Sequence, residues 1–161
     1  MPEVVFDILI TIAEGLLLTL ILFLLNEYVF LKKNLSGEWK IKLIIDETSY
    51  NPFKDLSIYY KVHLLQKGYE LSGSGEKVKE INSQNEVTEY EKDKRVTIDI
   101  NGYYERKYLN RSIIYLNIVE KGRIRESRAT YTLKIKNKKL LKGTFITTAA
   151  DSQGKIKMKK K

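Results

Sequence analysis

From Gly37 onward the apolar residues recur at every second position, and that period decides the fold class. In GEWKIKLIID, Trp39, Ile41, Leu43 and Ile45 share one face while Lys40 and Lys42 take the other. A period of two belongs to a half-buried strand, because successive side chains of a pleated strand point to opposite sides. The pattern returns in LSIYYKVHLLQ (Ile58, Tyr60, Val62, Leu64), RVTIDI (Val96, Ile98, Ile100) and SIIYLNIV (Ile114, Leu116, Ile118). It continues in ATYTLKIK (Ala129, Tyr131, Leu133, Ile135), LLKGTFITTA (Leu141, Gly143, Phe145, Thr147) and KIKMK (Ile156, Met158). Tyr69–Lys79 makes one more strand, with Gly73 and Gly75 as bulges or bends. Glu86–Asp93 is either a further short strand or a polar loop.

Turn signals separate these runs: Gln66-Lys67-Gly68, Asn101-Gly102, Glu120-Lys121-Gly122, Asn137-Lys138-Lys139 and Ser152-Gln153-Gly154. Many short strands in sequential hairpins, with one buried face each, close most economically on themselves. The expectation for residues 35–161 is an all-β domain, a small eight-stranded antiparallel up-and-down (meander) barrel. Such a barrel has an interior that just holds one small ligand.

The chain before this domain obeys a different rule. Ile8–Leu25, ILITIAEGLLLTLILFLL, is apolar with a single charge, Glu14. About 20 apolar residues cross a ~30 Å hydrocarbon core, so Val4–Leu31 is long enough to span. The flank before it is acidic and no small-x-small site follows, which favours an uncleaved anchor over a signal peptide. Lys32 and Lys33 follow the run and no base precedes it, which predicts a cytoplasmic C-terminal domain. Asn34-Leu-Ser36 and Asn110-Arg-Ser112 are then chance sequons. The organisation is a transmembrane helix and junction over 1–34, then the barrel.

Glu3, Asp7, Thr11 and Glu14 fall on one helical face, and Gly15 and Thr19 lie four apart. Carboxylates at membrane depth need partners or water, and small residues at that spacing let helix backbones approach. Association of this helix with copies of itself, through Asp7, Glu14, Gly15 and Thr19, explains both features. A span shifted to Gly15–Leu31, with Glu14 at the interface, explains them equally.

The 161 residues carry 29 Lys+Arg against 20 Asp+Glu, a net charge of +9. Residues 1–34 hold four acids and two lysines, so the remainder is +11. That excess favours polyanionic partners or anionic lipid. There is no cysteine, which excludes disulfides and thiolate chemistry. The one histidine, His63, has no partner motif for nucleophilic catalysis, and metal-ligand spacing is absent. SGSGEK (Ser72–Lys77) lacks the frame of a phosphate-binding loop and does not open a helix. No enzyme, metal site or cofactor is expected.

Recognition remains. The chain has 11 tyrosines and one tryptophan, and the alternation turns Trp39, Tyr60, Tyr69 and Tyr131 inward. Arg123, Arg125 and Arg128 cluster in GRIRESR. Aromatic faces stack bases and Arg forks hold phosphates, although aromatic residues also simply fill barrels.

LSGEW directly after a membrane helix, then VHLLQKGYELSGSG, INGYYER and LLKGTFITTAADSQGK, resembles one bacterial group over essentially the whole chain. These are the SMODS-associated transmembrane, β-strand-rich effectors of cyclic-oligonucleotide-based antiphage signalling (CBASS), also called the CD-NTase-associated protein fifteen family. The resemblance implies a minimal barrel that senses a cyclic dinucleotide made by a partner CD-NTase during phage infection. It further implies that sensing drives homo-oligomerisation of the membrane helices, inner-membrane disruption and abortive infection. Members commonly carry two membrane helices before the barrel, whereas this sequence has room for one. Under this reading Tyr60, Tyr69 and Tyr131 stack on bases, Arg125 and Arg128 bind phosphate and Thr147 reads base edges. The partners are then the cyclic dinucleotide and membrane lipids, not a nucleic acid polymer. The alternatives are a lipocalin-like binding module for an apolar molecule, or a structural subunit of a membrane complex.

Overall fold

The long apolar run contains no proline after Pro2 and forms helix α1, Pro2–Leu24. The computed structural model describes residues 2–25, 34–91, 96–107, 112–122 and 125–161. Within α1, Val4–Leu24 is 21 residues long and apolar enough to cross a membrane; at 1.5 Å per residue it reaches about 31 Å. Every side chain from Val4 to Leu25 is exposed, so this helix has no core of its own. Lys32, Lys33, Asn110, Arg123 and the Asn26–Leu31 end of the wider span fall outside the described residues.

The chain divides into two units, Met1–Asn34 and Leu35–Lys161. Among the described residues, the second contains nine strands. They are β1 (Gly37–Glu47), β2 (Ser57–Lys67), β3 (Glu70–Ile81), β4 (Val87–Glu89), β5 (Thr97–Glu105), β6 (Ile113–Lys121), β7 (Glu126–Asn137), β8 (Leu140–Thr147) and β9 (Ser152–Lys160). Eight of them close a ring in the order β1-β2-β3-β5-β6-β7-β8-β9, all antiparallel, with β9 returning to β1. The short β4 lies outside the ring, paired with the end of β3. The meander barrel predicted from the period of two is the observed fold.

The inward faces are those of the alternation. Trp39, Ile41, Leu43 and Ile45 from β1 meet Tyr60, Val62 and Leu64 from β2, and so on round the ring to Ile156 and Met158. Three turn assignments differ, for one reason: ladder pairing overrides local turn chemistry. Asn101-Gly102 lies inside β5, where Gly102 faces inward beside Tyr115 and Leu116. A Cβ there would stand 2.0 Å from the Tyr115 carbonyl oxygen, so glycine lets the strand bend towards its neighbour. Glu120 and Lys121 belong to β6, and Ser152-Gln153-Gly154 opens β9 after a turn at Ala149–Asp151. The bulge in β3 also sits away from the glycines. Gly73 and Gly75 keep regular register with Leu64 and Val62, and Val78 is the extra residue between Tyr59 and Tyr60.

Candidate functional site

The barrel's two ends are built from different residues. At the end where β1 begins, Trp39 is 1 % exposed and donates its indole N–H to the Leu35 carbonyl at 2.8 Å. Gln66 ties the same corner together, accepting from the Leu35 N–H at 2.8 Å and donating its own N–H to Ser36 Oγ at 2.9 Å. Leu64, Leu71, Tyr104, Ile114, Leu141 and Met158 fill this half.

At the opposite end the interior turns polar. The bulge at Val78 resets the alternation of β3, so Lys77 and Glu80 both face inward. Glu120 continues the inward row Ile114, Leu116, Ile118 of β6. Lys77 is 9 % exposed, pairs with Glu80, and lies 3.5 Å from Glu120 Oε1. Tyr60 Oη donates to Glu120 Oε2 at 2.7 Å. Tyr90, just beyond β4, donates to Glu80 Oε2 at 2.6 Å, and its ring centroid lies 5.4 Å from the Lys77 ammonium. Burial, then the neighbouring Tyr131 and the Glu120 carboxylate, push the Tyr60 hydroxyl well above the ordinary tyrosine range. Burial raises Tyr131 and Tyr90 as well, with the Glu80 hydrogen bond adding to the rise at Tyr90.

Tyr60, Lys77, Glu80, Glu120 and Tyr131 line a cavity of about 190 Å³. Its walls are apolar and aromatic, from Leu43, Ile45, Ile58, Phe145 and Tyr131, and Arg125 and Thr147 complete the lining. Two carboxylates face the Lys77 ammonium, and with Arg125 in the lining the charges of the cavity balance. Glu80 and Glu120 suit N–H donors of a ligand, and Arg125 suits an anionic group.

Four of the six residues proposed for ligand contact come together here: Tyr60, Tyr131, Arg125 and Thr147. Two do not. Tyr69 is not inward; it sits in the β2–β3 turn, 44 % exposed, with its ring stacked on Tyr104 at 6.3 Å. Arg128 is exposed because it alternates with the inward Ala129 on β7, and its backbone N–H is taken by Thr148 Oγ1 at 3.0 Å. Lys77, Glu80, Glu120 and Tyr90 were not anticipated. The signal for Glu120 was its place two residues after Ile118; Lys77 follows Leu71, Gly73 and Gly75 at the same interval.

His63 is exposed, in an outer hollow of about 780 Å³ where Lys40, Lys61 and Lys161 face Glu38, Glu76 and Asp99. Its charges cancel. In α1, Thr11 and Thr19 donate their hydroxyls to the Asp7 and Gly15 carbonyls at 2.9 and 2.8 Å, and a Cβ on Gly15 would meet nothing within 4 Å. The Glu3 side chain lies outside the described residues.

No family model and no curated protein sequence matches the chain. Among solved structures it is similar to a redesigned β barrel, with 12 % identity and a TM-score of 0.53 over 79 % of this chain and 91 % of that one. The likeness concerns the fold alone: a closed eight-stranded antiparallel barrel, here preceded by one apolar helix.

Proposed function

We propose that this protein is a membrane-anchored sensor whose barrel mouth takes part of a cyclic dinucleotide. It acts as an effector of CBASS-type antiphage defence, resembling the SMODS-associated β-strand-rich group. Ligand binding drives association of the α1 helices and disruption of the inner membrane.

The observation that carries the reading is the mouth cavity, which combines stacking walls, hydrogen-bonding carboxylates and a rim arginine. Its volume, about 190 Å³, is below the ~300–1,000 Å³ of pockets that enclose drug-sized ligands. It has room for one flat heterocycle, not for a whole dinucleotide. One base therefore enters between Tyr60 and Tyr131 and offers its N–H edge to Glu120. The phosphates stay at the rim, within reach of Arg125. The filled half around Trp39 leaves no tunnel for an acyl chain, which weighs against a lipid carrier.

The test is thermal melting of the full chain in detergent micelles against a panel of cyclic di- and trinucleotides. A ligand at 100 times its Kd adds about 2.7 kcal/mol to folding stability. A selective, saturable rise for one nucleotide, reduced in Arg125→Ala, is the expected result. A flat response across the panel overturns the proposal.

A further inference from the structure

The outer wall of the barrel carries a charge arrangement that the mouth does not use. Register places Lys134 opposite Lys142, Lys142 opposite Lys157, and Lys157 opposite Lys42, across β7, β8, β9 and β1. One tier along, Lys159 faces Lys40 and Lys40 faces Lys61. All seven point outward, alternating with core residues such as Ile41, Leu133, Leu141 and Met158. Like charges directly opposite one another weaken strand pairing. Among the described residues no carboxylate forms an ion pair with any of the seven.

The other side of the ring is different. Outward positions of β3 and β5 carry Glu70, Glu76, Asp99 and Glu105, and Lys121 on β6 is paired with Asp99 at 2.6 Å. A surface built only for solubility intersperses both signs. Here seven lysines cluster across β7, β8, β9, β1 and β2. The acids near them sit at the margins, Glu76 opposite Lys61 and Glu38 and Asp46 paired with Lys161 and Lys155. Neighbouring strands lie about 4.8 Å apart and alternate residues about 6.8 Å apart, so the lysines form a gently curved, closely spaced array. It contains no arginine, whose planar fork makes paired contacts to individual phosphates or bases. Lysines alone suit a diffuse field of negative charge.

We infer that this wall is a docking surface for anionic lipid headgroups. What selects a bilayer over a nucleic acid is the tether. Twelve residues separate the end of α1 from β1, and a chain reaches at most ~3.6 Å per residue, so the barrel cannot leave the headgroup region by more than about 43 Å. There, basic groups are drawn to an anionic leaflet over roughly one Debye length. The inference rests on the membrane-anchor part of the reading above and not on the nucleotide.

The absence of cysteine makes the experiment direct. The full chain is reconstituted in vesicles with a single fluorophore on Thr144→Cys, exposed on β8 beside the array, or on Ser72→Cys, exposed on β3 four strands away round the ring. Quenching by headgroup-labelled lipid is compared in phosphatidylglycerol-rich and phosphatidylcholine vesicles. Expected is quenching at Thr144→Cys roughly threefold stronger on the anionic vesicles, screened by high salt, and weak at Ser72→Cys. Lys142→Gln with Lys157→Gln, checked for folding by circular dichroism, should abolish the difference. Equal quenching at both labels, or none that depends on lipid charge, overturns the inference while leaving the anchor intact. So does a label that responds to added polynucleotide but not to anionic lipid. Failure of the chain to float with vesicles overturns the anchor and the inference together.

Discussion

The two ends of the barrel are made by the same eight strands, yet one is dry and the other ionic. At the Trp39 end every inward position is apolar or aromatic, and the one indole N–H is satisfied by a nearby carbonyl. At the Glu120 end three charged groups and the Tyr60 hydroxyl face one another inside the ring, and Tyr90 reaches Glu80 from beyond β4. Hydrophobic burial stabilises without specifying a partner, whereas a buried ionic cluster contributes little net stability. The difference therefore separates two tasks: one end holds the fold together, and the other, under the proposed function, keeps polar groups available to a ligand.

The sharpest way to break that division is Trp39→Ala. Removing the largest side chain of the dry end should cost about 3–5 kcal/mol, read as a lowered denaturant midpoint with the whole barrel unfolding at once. If the polar end held the fold instead, the loss would be small. Next in size is Lys77→Met, which leaves Glu80 and Glu120 facing each other without their cation. Stranded polar groups of this kind cost about 1–3 kcal/mol, the lower part of the range applying because the carboxylates are about one-fifth exposed. Adding Glu120→Leu to Lys77→Met should restore most of the loss, since an ionic cluster can be replaced by apolar packing when all its members go. A double variant less stable than the single one would show the cluster to be a structural element.

The same contrast predicts a pH response. Tyr60, Tyr90 and Tyr131 all lie at the polar end, and burial holds each above the ordinary value of 10. In the unfolded chain these hydroxyls ionise near pH 10, so the unfolded state gains relative to the folded one beyond that point. Stability should be level up to about pH 10 and fall above it, measured as Tm against pH. Tyr60→Phe should make that fall shallower. At neutral pH the same substitution removes only the hydrogen bond to Glu120, an effect of about 1 kcal/mol, and its packing is kept.

The dry end was legible because it depends on alternation alone. Trp39, Ile41, Val62 and Leu64 needed no knowledge of partners to be placed inward. The mouth was legible only in part. Tyr60, Tyr131 and Thr147 lay on predicted inward faces and are there. Glu120 was hidden by Lys121 and Gly122, whose local chemistry looks like a turn, and Lys77 and Glu80 by a bulge at Val78 that no residue type announces. Tyr69 was carried inward by extending the β3 alternation one step too far, into the turn after Gly68. A bulge and a register are properties of two strands together, so a pattern read along one strand does not contain them.

The closure of the ring by β9 against β1 has a consequence for how the protein is made. β1 is synthesised more than a hundred residues before β9. At about 5–20 residues per second, the edge of β1 that β9 will cover stays open for roughly 6–20 s while the rest of the meander emerges. Helix α1, which precedes them all, has left the ribosome by then. Emergence of the apolar helix and closure of the barrel are thus separated in time by the strand order itself, and the ring can only lock after α1 is free of the ribosome.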